Sequence, residues 1–113
     1  MIPRYKPMLA KEAPKPFSSK DWIFEIKWDG FRAIAYINED LSLRSRNGKE
    51  LMQTFPELEE LKQLARNAVL DGEIVMMKDG KANFQALLER AKDSKPQFIQ
   101  TQLVRYPATY VVF

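Results

Sequence analysis

The stretch WIFEIKWDGFRAIAYI, residues 22–37, decides how this chain is expected to fold. In its first half Trp22, Phe24, Ile26 and Trp28 alternate with Glu25, Lys27 and Asp29, the period of two expected of a strand with one buried face. Gly30 breaks the run, and FRAIAYI (31–37) begins a second strand, apolar on both faces and so expected at the centre of a sheet. Periodicity assigns the aromatic and aliphatic residues of the first half to the core rather than to a nucleobase platform. A lysine between two carboxylates inside a sheet-forming run still needs a reason, because a surface salt bridge adds almost nothing to stability.

The rest of the chain builds around these strands. Residues 1–20 hold Pro3, Pro7, Pro14 and Pro16 with Arg4, Lys6, Lys11, Lys15 and Lys20, and read as an extended, solvated lead-in. Asn38-Glu39-Asp40 turns the second strand into LSLRSR (41–46), with Arg44 and Arg46 on one face, and Asn47-Gly48 is a further turn. Thr54-Phe55-Pro56-Glu57 matches a capping box with Pro at the first helical position, followed by a stripe of Phe55, Leu58, Leu61 and Leu64/Ala65. VLDGEIVMM (69–77) returns to strand, Asp79-Gly80 reads as a hairpin turn, and Asn83 caps a short helix carrying Phe84, Leu87, Leu88 and Ala91. Residues 92–108 show no clear period, and TYVVF (109–113) is strand again. The expected class is α+β: a mainly antiparallel sheet with two interposed helices.

Composition narrows the chemistry. A chain of 113 residues, 45% hydrophobic, with seven Phe and two Trp, suits one small domain. No apolar run reaches the length of a membrane span, and the N-terminus lacks a signal-peptide core. Cysteine and histidine are both absent. Without cysteine, an intracellular protein is the expectation; without histidine, the commonest general base and zinc ligand are missing. Catalysis would have to run on Lys, Arg, Asp, Glu or an oxygen-ligated metal. A net charge of +3 permits an anionic partner without demanding one.

Three predicted strands carry charge at i, i+2 spacing: Glu25/Lys27/Asp29, Arg44/Arg46 and Asp71/Glu73. If the sets share a face they form a polar floor of mixed sign, costly to bury unless each charge is paired or holds a ligand. Cross-strand ion pairs on a wet face are the other reading of the same pattern.

The residues go further than the pattern. Lys27-Trp28-Asp29-Gly30 with Arg32 resembles the K-x-D-G-x-R signature of the covalent nucleotidyltransferases, which comprise DNA ligases, RNA ligases and mRNA capping enzymes. Ser45-Arg46-Asn47-Gly48 and Leu70-Asp71-Gly72-Glu73 resemble the S-R-x-G and D-G-E elements that follow in ligases, and in that order. The wider wording, from PMLA (7–10) through DWIFEIKWDGFRA to VLDGEIV, is most similar to the adenylation domain of ligase D-type, ATP-dependent DNA ligases of bacteria and archaea. The resemblance covers nearly the whole chain.

It implies the N-terminal part of the ligase and capping-enzyme nucleotidyltransferase (ATP-grasp-like) fold over residues 21–113. Lys27 would be the nucleophile that takes AMP from ATP, attacking as the uncharged amine. Arg32, Arg46, Mg²⁺ or desolvation must then outweigh the flanking Glu25 and Asp29. Arg32 and Arg46 would grip phosphate and ribose, since the guanidinium fork suits phosphate oxygens. Glu73 would bind the ribose hydroxyls or help hold Mg²⁺ (or Mn²⁺). Glu25 would read the adenine amino group, and Phe113 would stack on the purine or belong to the core. Asp29, Gly30 and Asp71 would support the site, and Arg44 is expected to be a solvated rim charge. Partners implied are ATP and nicked or broken duplex DNA, in repair, recombination and non-homologous end joining in a prokaryotic cytoplasm, with no membrane.

The family's second carboxylate element, lysine pair and OB-fold are missing from these residues, so the 113-residue piece is expected to adenylylate itself slowly or not at all. Two alternatives stay open: an RNA ligase or GTP-using capping enzyme, and a non-catalytic half completed by a separate chain pairing with the strand end at 109–113.

Overall fold

The computed structural model describes residues 2–93 and 95–113. Its frame is a five-stranded sheet in which every pairing is antiparallel. Strand β1 (Phe31–Ile37) lies between β2 (Leu41–Ser45) and β3 (Ala68–Lys78). Strand β5 (Ala108–Val112) pairs with β3, and β4 (Lys81–Ala82) closes a hairpin on the end of β3. The central place of FRAIAYI follows from its composition: Ala33, Ile34, Ala35, Tyr36 and Ile37 are all buried.

The turns follow their local chemistry. Asn38 Oδ1 accepts from Asp40 N at 2.9 Å, an Asx turn that reverses β1 into β2. Asp79 and Gly80 both take positive φ, 54° and 77°, the geometry that matches hairpin twist. Helix α1 (Phe84–Lys92) starts where Asn83 Oδ1 accepts from Ala86 N, as expected of an N-cap. One side of the sheet, carrying Ala33, Ala35, Ile37, Leu43, Ile74 and Met76, packs against Leu51, Phe55, Leu58, Leu61 and Leu87 to form the core.

Three expectations change. The segment Pro56–Gln63 is a 3₁₀ helix, and no side chain caps it. Glu57, expected to close a capping box, is drawn instead into a buried ion pair with Arg90 of α1 at 2.6 Å, and also accepts from Ala108 N at 2.9 Å. Residues 92–108, without a legible period, contain helix α2 (Pro96–Arg105). Its only buried residue is Ile99, so there was no apolar stripe to read.

The largest change is at residues 22–29, which form no strand. Both edges of β1 are taken, by β2 and by β3, and the segment meets no partner strand among the described residues. Without a ladder its apolar residues do not reach the core: Trp22 is 64% exposed, Phe24 58% and Ile26 73%, while Trp28 is half-buried. Phe17 of the lead-in packs edge-on against Trp22 and Phe24, at 5.7 and 5.5 Å between ring centres. The expectation of a strand and of core residues there is overturned.

Candidate nucleotide site

The register of the sheet settles which charges share a face. Arg32 of β1 stands opposite Glu73 of β3, and Ile34 stands between Arg44 of β2 and Asp71 of β3. Paired residues point to the same side, so Arg32, Arg44, Asp71 and Glu73 all lie on the face turned away from the core. The polar floor is real for these two strand sets. The third set, Glu25/Lys27/Asp29, lies on the unpaired segment that enters β1 through Gly30, and all three residues are exposed.

Lys27 and Asp29 are exposed, yet both act electrostatically on the Glu73 carboxyl. Burial raises the pKa of Glu73; the charges of Asp29 and Asp71 raise it further, while Arg32 and Lys27 oppose them. Lys27 is thus close enough to Glu73 for its charge to oppose that rise.

Arg32 is the hub. Its Nε and Nη2 donate to the two oxygens of Asp71 at 2.7 and 2.6 Å, a bidentate fork, and its Nη1 donates to Met8 O at 3.0 Å. The guanidinium also lies 4.9 Å from the centre of the Phe113 ring. The hydrogen bond to Asp71 raises the pKa of Arg32, ahead of the opposing effect of burial. One side chain thus ties the lead-in, β3 and the end of β5 together. Phe113 is half exposed on this face, and its N–H donates to Asp71 O at 3.0 Å.

Two glycines hold the face in place. A Cβ on Gly30 would sit 2.0 Å from Ile74 O, so the chain leaving Asp29 can approach β3 only without a side chain. A Cβ on Gly72 would meet Val111 O at 2.4 Å and the Tyr110 ring at 2.9 Å. Tyr110 needs that space: its hydroxyl donates toward Ala33 O at 2.7 Å and Leu70 O at 3.0 Å beneath the site.

The other expected residues are placed as follows. Glu25 is exposed on the unpaired segment. Arg46 follows β2, at the turn with Asn47 and Gly48. Arg44 is not a free rim charge, since its Nε lies 3.3 Å from Glu50 Oε2 and 3.0 Å from Ser42 Oγ. Among the described residues no three acidic groups come together as a cation cage. Sequence reading missed the Arg32–Asp71 fork, because its members lie 39 positions apart and no local spacing marks such a pair. It also missed how the lead-in is held. Tyr36 Oη accepts from Tyr5 N at 2.8 Å and donates to Tyr5 O at 3.2 Å, so the first part of the lead-in is a strap across the sheet rather than a solvated tail.

The family described as ATP dependent DNA ligase domain matches residues 7–113. The chain belongs to that family. It is 46% identical over 81 residues to DNA ligase C1 of Mycolicibacterium smegmatis, covering 68% of this chain and 23% of that protein. DNA ligase C of Mycobacterium tuberculosis is 34% identical over 116 residues, covering 100% of this chain and 32% of that one. A solved structure of mycobacterial DNA ligase D complexed with ATP and MES superposes with a TM-score of 0.60 at 28% identity, covering 79% of this chain and 27% of that one. The chain therefore spans between 23% and 32% of the length of these relatives. The α+β class and the family expected from the motifs both hold.

Proposed function

We propose that this ligase-family chain carries the adenylation half-site of an ATP-dependent DNA ligase, with Lys27 as the nucleophile. The observation that carries the reading is that the Lys27-Trp28-Asp29-Gly30 segment meets β3 at Ile74 O, next to Glu73 on the face that displays Arg32 and Phe113. The uncharged Lys27 amine attacks the α-phosphorus of ATP; an N–P bond forms, the bond to pyrophosphate breaks, and the amine gives up a proton. AMP then passes to the 5′-phosphate at a nick in duplex DNA, and the nick is sealed. Phe113 stacks on the purine, Glu25 reads the adenine amino group, and Arg46 grips phosphate and ribose. Arg32, oriented by Asp71, adds a second fork at the phosphates.

Glu73 binds ribose hydroxyls or contributes one oxygen to Mg²⁺. The residues fit a metal held this way: one half-buried carboxylate is available, and Mg²⁺ is commonly bound by one or two carboxylates together with substrate phosphates. When bound, the ion would neutralise phosphate charge. The setting is repair and end joining in the prokaryotic cytoplasm.

Incubation of the chain with α-labelled radioactive ATP and Mg²⁺ tests this. The expected result is slow labelling from ATP, none from GTP, and none in Lys27→Ala. Labelling from GTP would overturn the proposed specificity for ATP, and label that survives Lys27→Ala would remove the nucleophile. A second reading has its own support: Trp22, Ile23, Phe24 and Ile26 are exposed on an unpaired segment with strand periodicity. A strand from outside these residues would complete the sheet there. Absence of label from the isolated chain, with label restored by a complementing polypeptide, favours that reading.

A further inference from the structure

The lead-in strap and β2 enclose a groove of about 580 Å³ on the same face as Arg32 and Glu73. Its walls contain four cations, Arg4 and Lys6 from the strap and Arg44 and Arg46 from β2 and its turn, and no acidic residue. Across the whole chain, 18 basic residues are set against 15 acidic ones, so a lining of four cations and no anion is a local concentration of charge. Glu50, behind Arg44, offsets part of that residue's charge from outside the groove. Lys6 and Arg46 make no ion pair among the described residues.

The strap is built in advance rather than assembled by a ligand. Tyr36 holds Tyr5 by both backbone groups, Arg4 lies 4.6 Å over the Tyr36 ring and donates to Ser42 Oγ at 3.4 Å, and Arg32 holds Met8 O. Cations fixed beforehand bind with less loss of conformational freedom. Tyr36 is only 5% exposed, with Arg4 over its ring, so that ring is not open to a stacking base. The groove therefore suits phosphates rather than bases. Ile34 lines it, and Arg32 is the next residue on that face, about 6.6–6.8 Å along β1.

We propose that the strap is part of the DNA-binding surface: Arg4, Lys6 and Arg44 hold the phosphodiester backbone of the substrate duplex and lead it toward Arg46 and the face that carries Arg32 and Glu73. This rests on the ligase reading above. A nucleotide triphosphate could satisfy the same phosphate chemistry. The DNA backbone is favoured because the cations are spread from the strap across to the 45–48 turn, a run suited to successive phosphates.

Anisotropy titrations of the chain against a fluorescent nicked duplex, across a KCl series, provide the test. Arg4→Ala/Lys6→Ala should bind all duplex sequences more weakly and lower the salt slope by about 2, one for each lost phosphate contact. Lys6→Glu, at an exposed side chain, should lower the slope by about 1 without threatening the fold. Tyr36→Phe, which frees the strap while keeping every cation, should also weaken binding. Unchanged affinity and slope in Lys6→Glu and in the double variant, or no duplex binding by the parent chain, would overturn the proposal. So would loss of ATP labelling with duplex binding intact, which would give the groove to the triphosphate. Strap-dependent duplex binding with AMP label that survives Lys27→Ala would instead strike the Lys27 reading and leave the groove standing.

Discussion

Residues 22–29 and β1 are adjacent, both apolar and both written with strand-forming residues, yet they end in opposite states. β1 is hydrogen-bonded on both edges and almost wholly buried, whereas WIFEIKWD makes no ladder and leaves Trp22, Phe24 and Ile26 in solvent. Alternation states which face a strand would bury; it does not supply the neighbour whose N–H and C=O groups must pair. β1 has two such neighbours close in sequence order, one across a three-residue Asx turn. The earlier segment has none among the described residues.

The contrast can be broken most severely at the knot that closes the paired side. Arg90 is fully buried; it donates to Glu57 and to Tyr106 O, and its Nε has no partner among the described residues. Arg90→Met would leave Glu57 in a mostly buried site without its cation and should cost about 3–5 kcal/mol by urea denaturation. Adding Glu57→Gln should recover part of that loss, because the uncompensated charge is then gone.

The same denaturation experiment sharpens the comparison directly. Ile74→Ala, at a fully buried β3 position, should cost about 2–5 kcal/mol. Ile26→Ala, the same chemical change on the unpaired segment, should stay within about 0.5 kcal/mol. Equal costs at the two sites would mean that residues 22–29 are packed in solution after all.

The smallest effects separate two glutamates by the sign of their pH dependence. The Glu73 pKa is raised above the ordinary 4.5, chiefly by burial. Its stabilising contribution is full below that value and is lost as pH rises through the raised one. Glu73→Gln should therefore be slightly more stable than the parent at pH 7. For Glu50, burial works against ionisation, but hydrogen bonds from Leu43 N, Ser42 Oγ and Met52 N and the charge of Arg44 hold its pKa below 4.5. That contribution is present above 4.5 and is lost as pH falls through the lowered value, so Glu50→Gln should be slightly less stable at pH 7. Both carboxylates are partly solvated, so each change should be under about 1 kcal/mol in thermal melts across pH.

Much of this architecture is written locally. The β1, β2 and β3 ranges, the Asx and Asp79-Gly80 turns and the Asn83 cap could be read directly, because each depends on residues within a few positions of one another. The family could also be read, because its motifs set particular residues at particular spacings: Lys27 before Asp29-Gly30, and Asp71-Gly72 before Glu73. Even the two glycines had a legible place, although the reason for each became visible only against Ile74 O and the Tyr110 ring.

Other features belong to contacts between distant parts of the chain. Whether WIFEIKWD becomes a strand depends on a partner, and whether Glu57 caps its own helix depends on Arg90, 33 positions away. The Arg32–Asp71 fork and the Tyr36 hold on the strap likewise join segments with no spacing rule between them. Short-range preferences are set by backbone geometry that each residue carries with it. Pairing, burial and charge partners are settled by competition across the folded whole, where the strongest available contact wins.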